Sequence, residues 1–378
     1  MRRCVFHIGM SKTGSTSIQT FLSEGLRDPR FRYLGLGQAN GSNALCTLFA
    51  DNPEQFWCYT SGQLKARHIN RYRAVYLRRL QRELQVAYAQ GVCPVLSGEE
   101  CWRFSRDELI RVQQMLASYG YEVQILVYLR PYAQWLESGF QQWVQWGAAR
   151  DFSALLAVSG RAGISRLDYY SRLQIMADVF GRSSLLVRPF TPAALGVKGV
   201  VSDFCAAVGI ETCGYVEHRA NQGLSLDAIR VFYAVNNHLR QLQPWSLLET
   251  GALARYLAAM PGPPLRFCPS LLAPIAPALE HQHQILQHHY GVNLGEALPS
   301  HAAEERVSSE GDLLRFSPAA LAWLAAGLGG GMIALPPTSP AAVAAWVDRR
   351  RGRLLRRHVT DLARERLGQV WHLLYRPW

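Results

Sequence analysis

Apolar and polar positions along the 378-residue chain follow two periods in alternation. Short continuous apolar runs at residues 4–9, 92–97, 123–129 and 184–188 have the length of buried strands. Between them, apolar residues recur at helical spacing near 15–25, 71–90, 105–119, 132–146 and 167–180. Alternation of this kind predicts an α/β fold, a parallel β-sheet flanked by helices on both faces. Ligands of such sheets collect at the carboxyl ends of the strands, so the loop after 4–9, the turn after 92–97 and Arg130 after 123–129 are expected on one edge. The start MRRCVFHIGM mimics a signal peptide for a few residues, but its apolar part stops too soon, and it reads as the first strand. From about 225 the pattern changes to helical stretches broken by Pro244, Pro261, Pro263 and Pro264, an additional helical C-terminal region.

The turn after the first strand carries the clearest chemistry. Val5 to Gly9 lead into Met10, Ser11, Lys12, Thr13, Gly14, Ser15, Thr16 and Ser17, and the chain then becomes helical. Free amides at a helix start, the positive end of its dipole, a lysine and several hydroxyls together make an anion site of the phosphate-loop type. The order of residues departs from the nucleotide-triphosphatase loop GxxxxGK[ST], because Lys12 precedes Gly14, and no acidic magnesium ligand closes a following strand.

HIGMSKTGSTSIQ resembles the 5′-phosphosulfate loop of sulfotransferases that use 3′-phosphoadenosine 5′-phosphosulfate (PAPS), most closely their bacterial branch. A second motif joins it: residues 123–129 run into Arg130 and Pro131, with Ser138 at helical spacing beyond, where the family places an arginine and a serine on the donor's 3′-phosphate. Leu186 to Phe190 (LVRPF), which includes Arg188, and Asp203 to Ile210 followed by Arg219, Asn221, Gln222 and Ser225 are also family-like, so the resemblance covers roughly residues 1–240.

The resemblance implies a P-loop-like donor site formed by Ser11, Lys12, Thr13, Gly14, Ser15, Thr16 and Ser17, with Arg130, Ser138 and Arg188. PAPS would be the co-substrate, its bisphosphate PAP the product, and no metal is required. Lys12 would hold the bridging oxygen as charge moves onto it. The turn Ser97-Gly98-Glu99-Glu100 offers a base, Glu99 first and Glu100 second, unless a glutamate there caps the helix near 105 or pairs with Arg103. His7 is the next candidate base, weighed against a core position within its strand. The domains expected are a core over 1–224 with the PAPS site and a helical region over 225–378, packed on it and contributing to acceptor binding or association.

Composition bears on the partners. A formal net charge of +12 suits anionic ones, but no nucleic-acid motif appears and none is expected. Acceptor hydroxyls or amines of a glycan or glycolipid fit the charge and the aromatic content, including Trp102, Tyr132, Trp135, Phe140, Trp143 and Trp146, most of which read as core; peptidyl tyrosine and small metabolites stay open. An ATP-dependent kinase and a non-enzymatic basic module for nucleic acid or anionic membrane are the rival readings. The eight cysteines show no CxxC pair, which suits reduced thiols in a cytoplasmic protein. His281, His283, His288 and His289 lack the i,i+4 spacing of a helical zinc pair.

Residues 316–347 carry no charge and precede six arginines between Arg349 and Arg357. Pro336, Pro337 and Pro340 interrupt this run, so two helices joined by a glycine and proline turn are expected rather than a membrane span. The arginine-rich tail suits a capping helix, or peripheral contact with an anionic membrane.

Overall fold

The computed structural model describes residues 1–147, 167–212, 214–215, 223–239, 245–295, 305–328 and 338–361. Cys213, Arg219, Asn221, Gln222, Pro244, Pro336, Pro337 and the tail beyond 361 lie outside the described residues.

In chain order the main elements are β1 (Arg2–His7), α1 (Ser15–Thr20, continued by a wider turn over Phe21–Gly25), β2 (Phe31–Tyr33), α2 (Ser42–Phe49), α3 (Ile69–Gln90) and β3 (Cys93–Ser97). Then come α4 (Arg106–Ser118), β4 (Tyr121–Leu129), α5 (Tyr132–Gln145), α6 (Tyr169–Phe180), β5 (Leu185–Pro189) and α7 (Gly199–Val208). The helices α8 (Leu226–Leu239), α9 (Leu247–Leu257), α10 (Ala276–Tyr290), α11 (Pro318–Leu328) and α12 (Pro340–Asp348) complete the set.

Five strands form one all-parallel sheet in the order β2-β3-β1-β4-β5. The expected α/β class with a helical C-terminal region is the one observed, and the four expected strands are all present. β2 is an addition of three residues at the sheet edge, paired to β3 from Phe31 opposite Cys93 to Tyr33 opposite Val95. Successive strand residues point to opposite faces. Val5, Val95, Leu126 and Tyr128 therefore pack with Ile18 and Phe21 from α1 and its continuation, and with Val200, Val201 and Phe204 of α7. Cys4, Phe6, Leu96, Ile125 and Val127 are buried on the opposite side of the same strands.

Local chemistry sets the helix limits. Ser105 and Glu108 exchange hydrogen bonds as a capping box at the start of α4. Gly91, at φ 70°, ends α3 with a left-handed residue, which lets the chain turn directly into β3.

Two compact units interleave along the chain. The first comprises Met1–Tyr132, Val158–Ala220 and Pro277–Ala297 and holds the sheet; the second comprises Ala133–Ala157, Asn221–Ala276 and Leu298–Trp378 and is helical. A single cut at 224 differs from this division: α5 belongs to the second unit, and α10, from Pro277 on, to the first. Within the second unit, buried Glu137 of α5 pairs with Arg266 at 3.2 Å and accepts from the amide of Phe267 at 3.0 Å. The uncharged run resolves into α11 and α12. No helix among the described residues is long and apolar enough to cross a membrane. The seven described cysteines are free thiols, five of them buried.

Candidate functional site

The carboxyl ends of β1, β3, β4 and β5 lead into segments that converge. Because the strands are parallel and in register, with His7 opposite both Ser97 and Leu126 and Leu129 opposite Pro189, the residues that follow them share one edge. Backbone hydrogen bonds continue the ladder past the strands. The amides of Ile8 and Met10 donate to Leu126 and Tyr128, the amide of Tyr128 to Gly9, that of Gly98 to His7, and that of Phe190 to Leu129, at 2.7–3.2 Å. The loop after β1 is thus bound down along β4 before it turns.

Two glycines make the turn fit. A Cβ on Gly9, at φ 107°, would stand 3.0 Å from the backbone oxygen of Glu99, so its absence lets the β3 turn close over the loop. A Cβ on Gly14, at φ 74°, would stand 2.7 Å from Cγ1 of Val200 on α7. Between them Lys12, at φ 68°, adopts the left-handed conformation without being glycine, a form that costs of order 1–3 kcal/mol and clusters at ligand-binding turns. The hydroxyls of Thr13 and Ser15 both donate to the carbonyl of Met10, at 2.6 and 3.3 Å, and so hold the loop from inside. Thr16 is exposed, and Ser11 and Ser17 are half-buried. By helix geometry the amides of Ser15, Thr16 and Ser17, at the start of α1, have no intrahelical acceptor.

Three charged side chains meet here. Arg130 donates from Nη1 to the carbonyl of Lys12 at 2.7 Å, and its guanidinium lies 5.6 Å from the ring of Phe190. Its own carbonyl accepts from the hydroxyl of Tyr169 at 3.2 Å. Burial lowers the pKa of Lys12, Glu99 draws it back up, and Arg130 lowers it further. Burial raises the carboxyl of Glu99 to about 7, and Glu100 adds to the rise, while Lys12 and the hydroxyl of Ser15 oppose it. Lys12, Glu99 and Arg130, expected on one edge from three separate strand ends, are within electrostatic reach of Lys12.

The other expected residues have different surroundings. Glu100 pairs with Arg103 at 3.0 Å, the alternative weighed for it from the sequence. His7 is fully buried, its Nδ1 2.8 Å from the hydroxyl of Ser97 and its ring edge-on to Tyr128 and Phe204. Burial lowers its pKa to about 3, so the ring is neutral at physiological pH. Arg188 makes a bidentate ion pair with Asp203 at 2.5 and 2.6 Å, and the hydroxyl of Tyr128 donates to the same carboxylate at 2.6 Å. Its charge is neutralised where it stands. Ser138 is half-buried on α5, in the second unit, whereas Arg130 belongs to the first.

Sequence reasoning passed over a polar chain under the loop. Gln19 donates from Nε2 to Ser97 at 3.1 Å and to Asn40 at 3.3 Å; Asn40 in turn accepts from the amide of Ser42, and Ser97 accepts on its carbonyl from the amide of Gly41. Phe190, beside Arg130, was also passed over as a contact. A buried-side glutamine in the first helix, one turn past the loop, is the signal that pointed to this chain.

No family model matches the chain, and no curated protein matches it in sequence. Among solved structures, a sulfotransferase from Alicyclobacillus acidocaldarius is similar over 62% of this chain and 93% of its own, at 19% identity and a TM-score of 0.37. A structure from the PezAT chromosomal toxin–antitoxin system of Streptococcus pneumoniae is similar over 50% and 68%, at 12% identity and a TM-score of 0.27.

Proposed function

We propose that the chain is a sulfotransferase that moves a sulfuryl group from PAPS to a hydroxyl or amine. The observation that carries this reading is the grouping of two cations, Lys12 and Arg130, with one carboxyl of raised pKa, Glu99, at the mouth of a glycine-turned loop. The chemistry of this set fits the donor: two cations and the first amides of α1 match a phosphosulfate and a separate phosphate. When bound, PAPS supplies an activated sulfuryl group.

The residues then divide the work. Lys12 neutralises charge that grows as the bond to the leaving oxygen breaks, an interaction stronger in the transition state than before it. Arg130 holds a phosphate through charge-assisted hydrogen bonds. Glu99 takes the acceptor's proton, for which a pKa near 7 suits it at neutral pH. Thr13 and Ser15 keep the loop shaped by bonding inward to Met10. His7 and Ser97, joined to Gln19, hold β1, β3 and α1 together beneath Glu99 as positioning residues.

A glycan or glycolipid hydroxyl is the acceptor class we favour, on the +12 net charge and the aromatic content. Calorimetric binding of PAP in the presence of a chelator, with no preference for ATP, is the expected result. Magnesium-dependent binding of ATP in its place would identify a kinase. Transfer of labelled sulfate from PAPS to a glycan fraction tests the reaction itself.

A further inference from the structure

The second unit carries a cavity of about 350 Å³ that the donor site does not use. That volume is in the range of metabolite sites. Tyr256 of α9 and Trp323 of α11 form one wall, their ring centres 4.7 Å apart. Residues 351–361 are helical and bring Arg357, His358 and Asp361 to the opening, with Arg255 beside them.

Buried polar atoms almost always have hydrogen-bond partners, and each exception calls for a reason. Two exceptions line this one cavity. The hydroxyl of Tyr256, a residue only 8% exposed, has no hydrogen-bond partner, and neither does the buried Nδ1 of His358. The tyrosine hydroxyl reaches its place through Gly327 on α11, where any Cβ would collide with it. Burial raises the Tyr256 phenol to about 12, so it is an O–H donor at neutral pH. The guanidinium of Arg357 lies 5.5 Å from the Tyr256 ring centre and supplies positive charge at the same wall. A ring-shaped ligand body would lie against Trp323 and Tyr256, an acid group would meet Arg357 and the Tyr256 hydroxyl, and Asp361 would accept from any hydroxyl carried by the ligand.

We propose that this cavity is a second binding site, for a small organic anion built on a ring, either an aromatic acid or an acidic sugar. The inference stands independently of the donor-site reading. Calorimetric titration of the full chain tests it with naphthalene sulfonate and with glucuronate, each against a neutral counterpart, naphthalene methanol or methyl glucoside. At least one anion should bind one-to-one and roughly tenfold or more tighter than its neutral counterpart, and the anion that binds names the source. Arg357→Gln should weaken it roughly ten- to a hundredfold, and Tyr256→Phe roughly three- to tenfold. Tyr256→Phe removes a hydroxyl that has no partner in the protein, so it should leave the melting temperature unchanged or raised while affinity falls. PAP should not displace the probe. Binding of neither anion, equal binding of the neutral counterpart, displacement by PAP, or unchanged affinity in both variants would each overturn the proposal.

Discussion

Glu99→Gln should make the protein more stable and less active at the same time. The carboxyl of Glu99 titrates at about 7 in the folded chain against an ordinary 4.5, chiefly because burial penalises its charge. At about 1.4 kcal/mol per pKa unit, ionising it in place costs the fold about 3 kcal/mol. The folded chain keeps this proton to a higher pH than the unfolded chain does. The corresponding stability is therefore fully present below pH 4.5 and is lost as pH rises through 7. Glutamine has nearly the same shape and never ionises, so the variant escapes the loss. Urea unfolding of the two proteins should show no difference near pH 4, a gap opening between pH 5 and 7, and about 3 kcal/mol in favour of Glu99→Gln at pH 8. Turnover at pH 8 should fall roughly 10²–10⁴-fold, the ordinary loss of a general base. In the unsubstituted enzyme the rate should rise with pH through about 7. A gap that does not change with pH, or a variant less stable at pH 8, would show that the carboxylate is already well solvated or paired, and the argument for it as a poised base would fail.

Arg130→Ala should weaken PAP roughly ten- to a hundredfold while hardly affecting the analogue without the 3′-phosphate, read by calorimetry; equal weakening of both would remove Arg130 from phosphate binding. Gly14→Ala should destabilise the chain by roughly 1–3 kcal/mol, from its left-handed backbone and its approach to Val200, and Val200→Ala should recover the steric share. His7, with its pKa lowered from 6.5 to about 3, lets the unfolded chain take up a proton that the folded chain refuses. Stability should therefore fall as pH drops from 6.5 toward 3, and His7→Gln should flatten that slope in acid-denaturation curves. Glu100→Gln should leave turnover within about twofold, since it removes only a partly exposed ion pair with Arg103, worth about 1 kcal/mol or less.

Long apolar runs declared the four main strands, because strands buried on both faces have little room for polar residues. β2 did not declare itself. Phe31–Tyr33 is three residues long, too short to show a period, and it exists because its register with Cys93, Pro94 and Val95 is available once β3 is in place. The interleaved units were equally hidden, since which unit α5 and α10 join is decided by tertiary contacts and not by local pattern. At the site, the loop and Arg130 could be found because each follows a strand end. The inward bonds of Thr13 and Ser15, the Arg188–Asp203 pair and the Gln19–Ser97 contact join residues whose partners are set by strand register and helix docking. No one-dimensional spacing records them.

The strand order has a bearing on how the molecule is made. β1 lies at the centre of the sheet, yet both of its neighbours, β3 and β4, are encoded about ninety residues or more downstream. At a synthesis rate of roughly 5–20 residues per second, Val5 and Phe6 wait several seconds or longer before a partner strand has left the ribosome. During that time an apolar strand stands with both edges unpaired, the condition most open to wrong pairing with other chains. The donor loop, which is shaped by bonds to β4 and by contact with α7, can form only after about two hundred residues are available. Chaperone dependence during synthesis, and slow recovery of PAP binding relative to helix formation after dilution from denaturant, are the kinetic marks of a site assembled last around the strand that is made first.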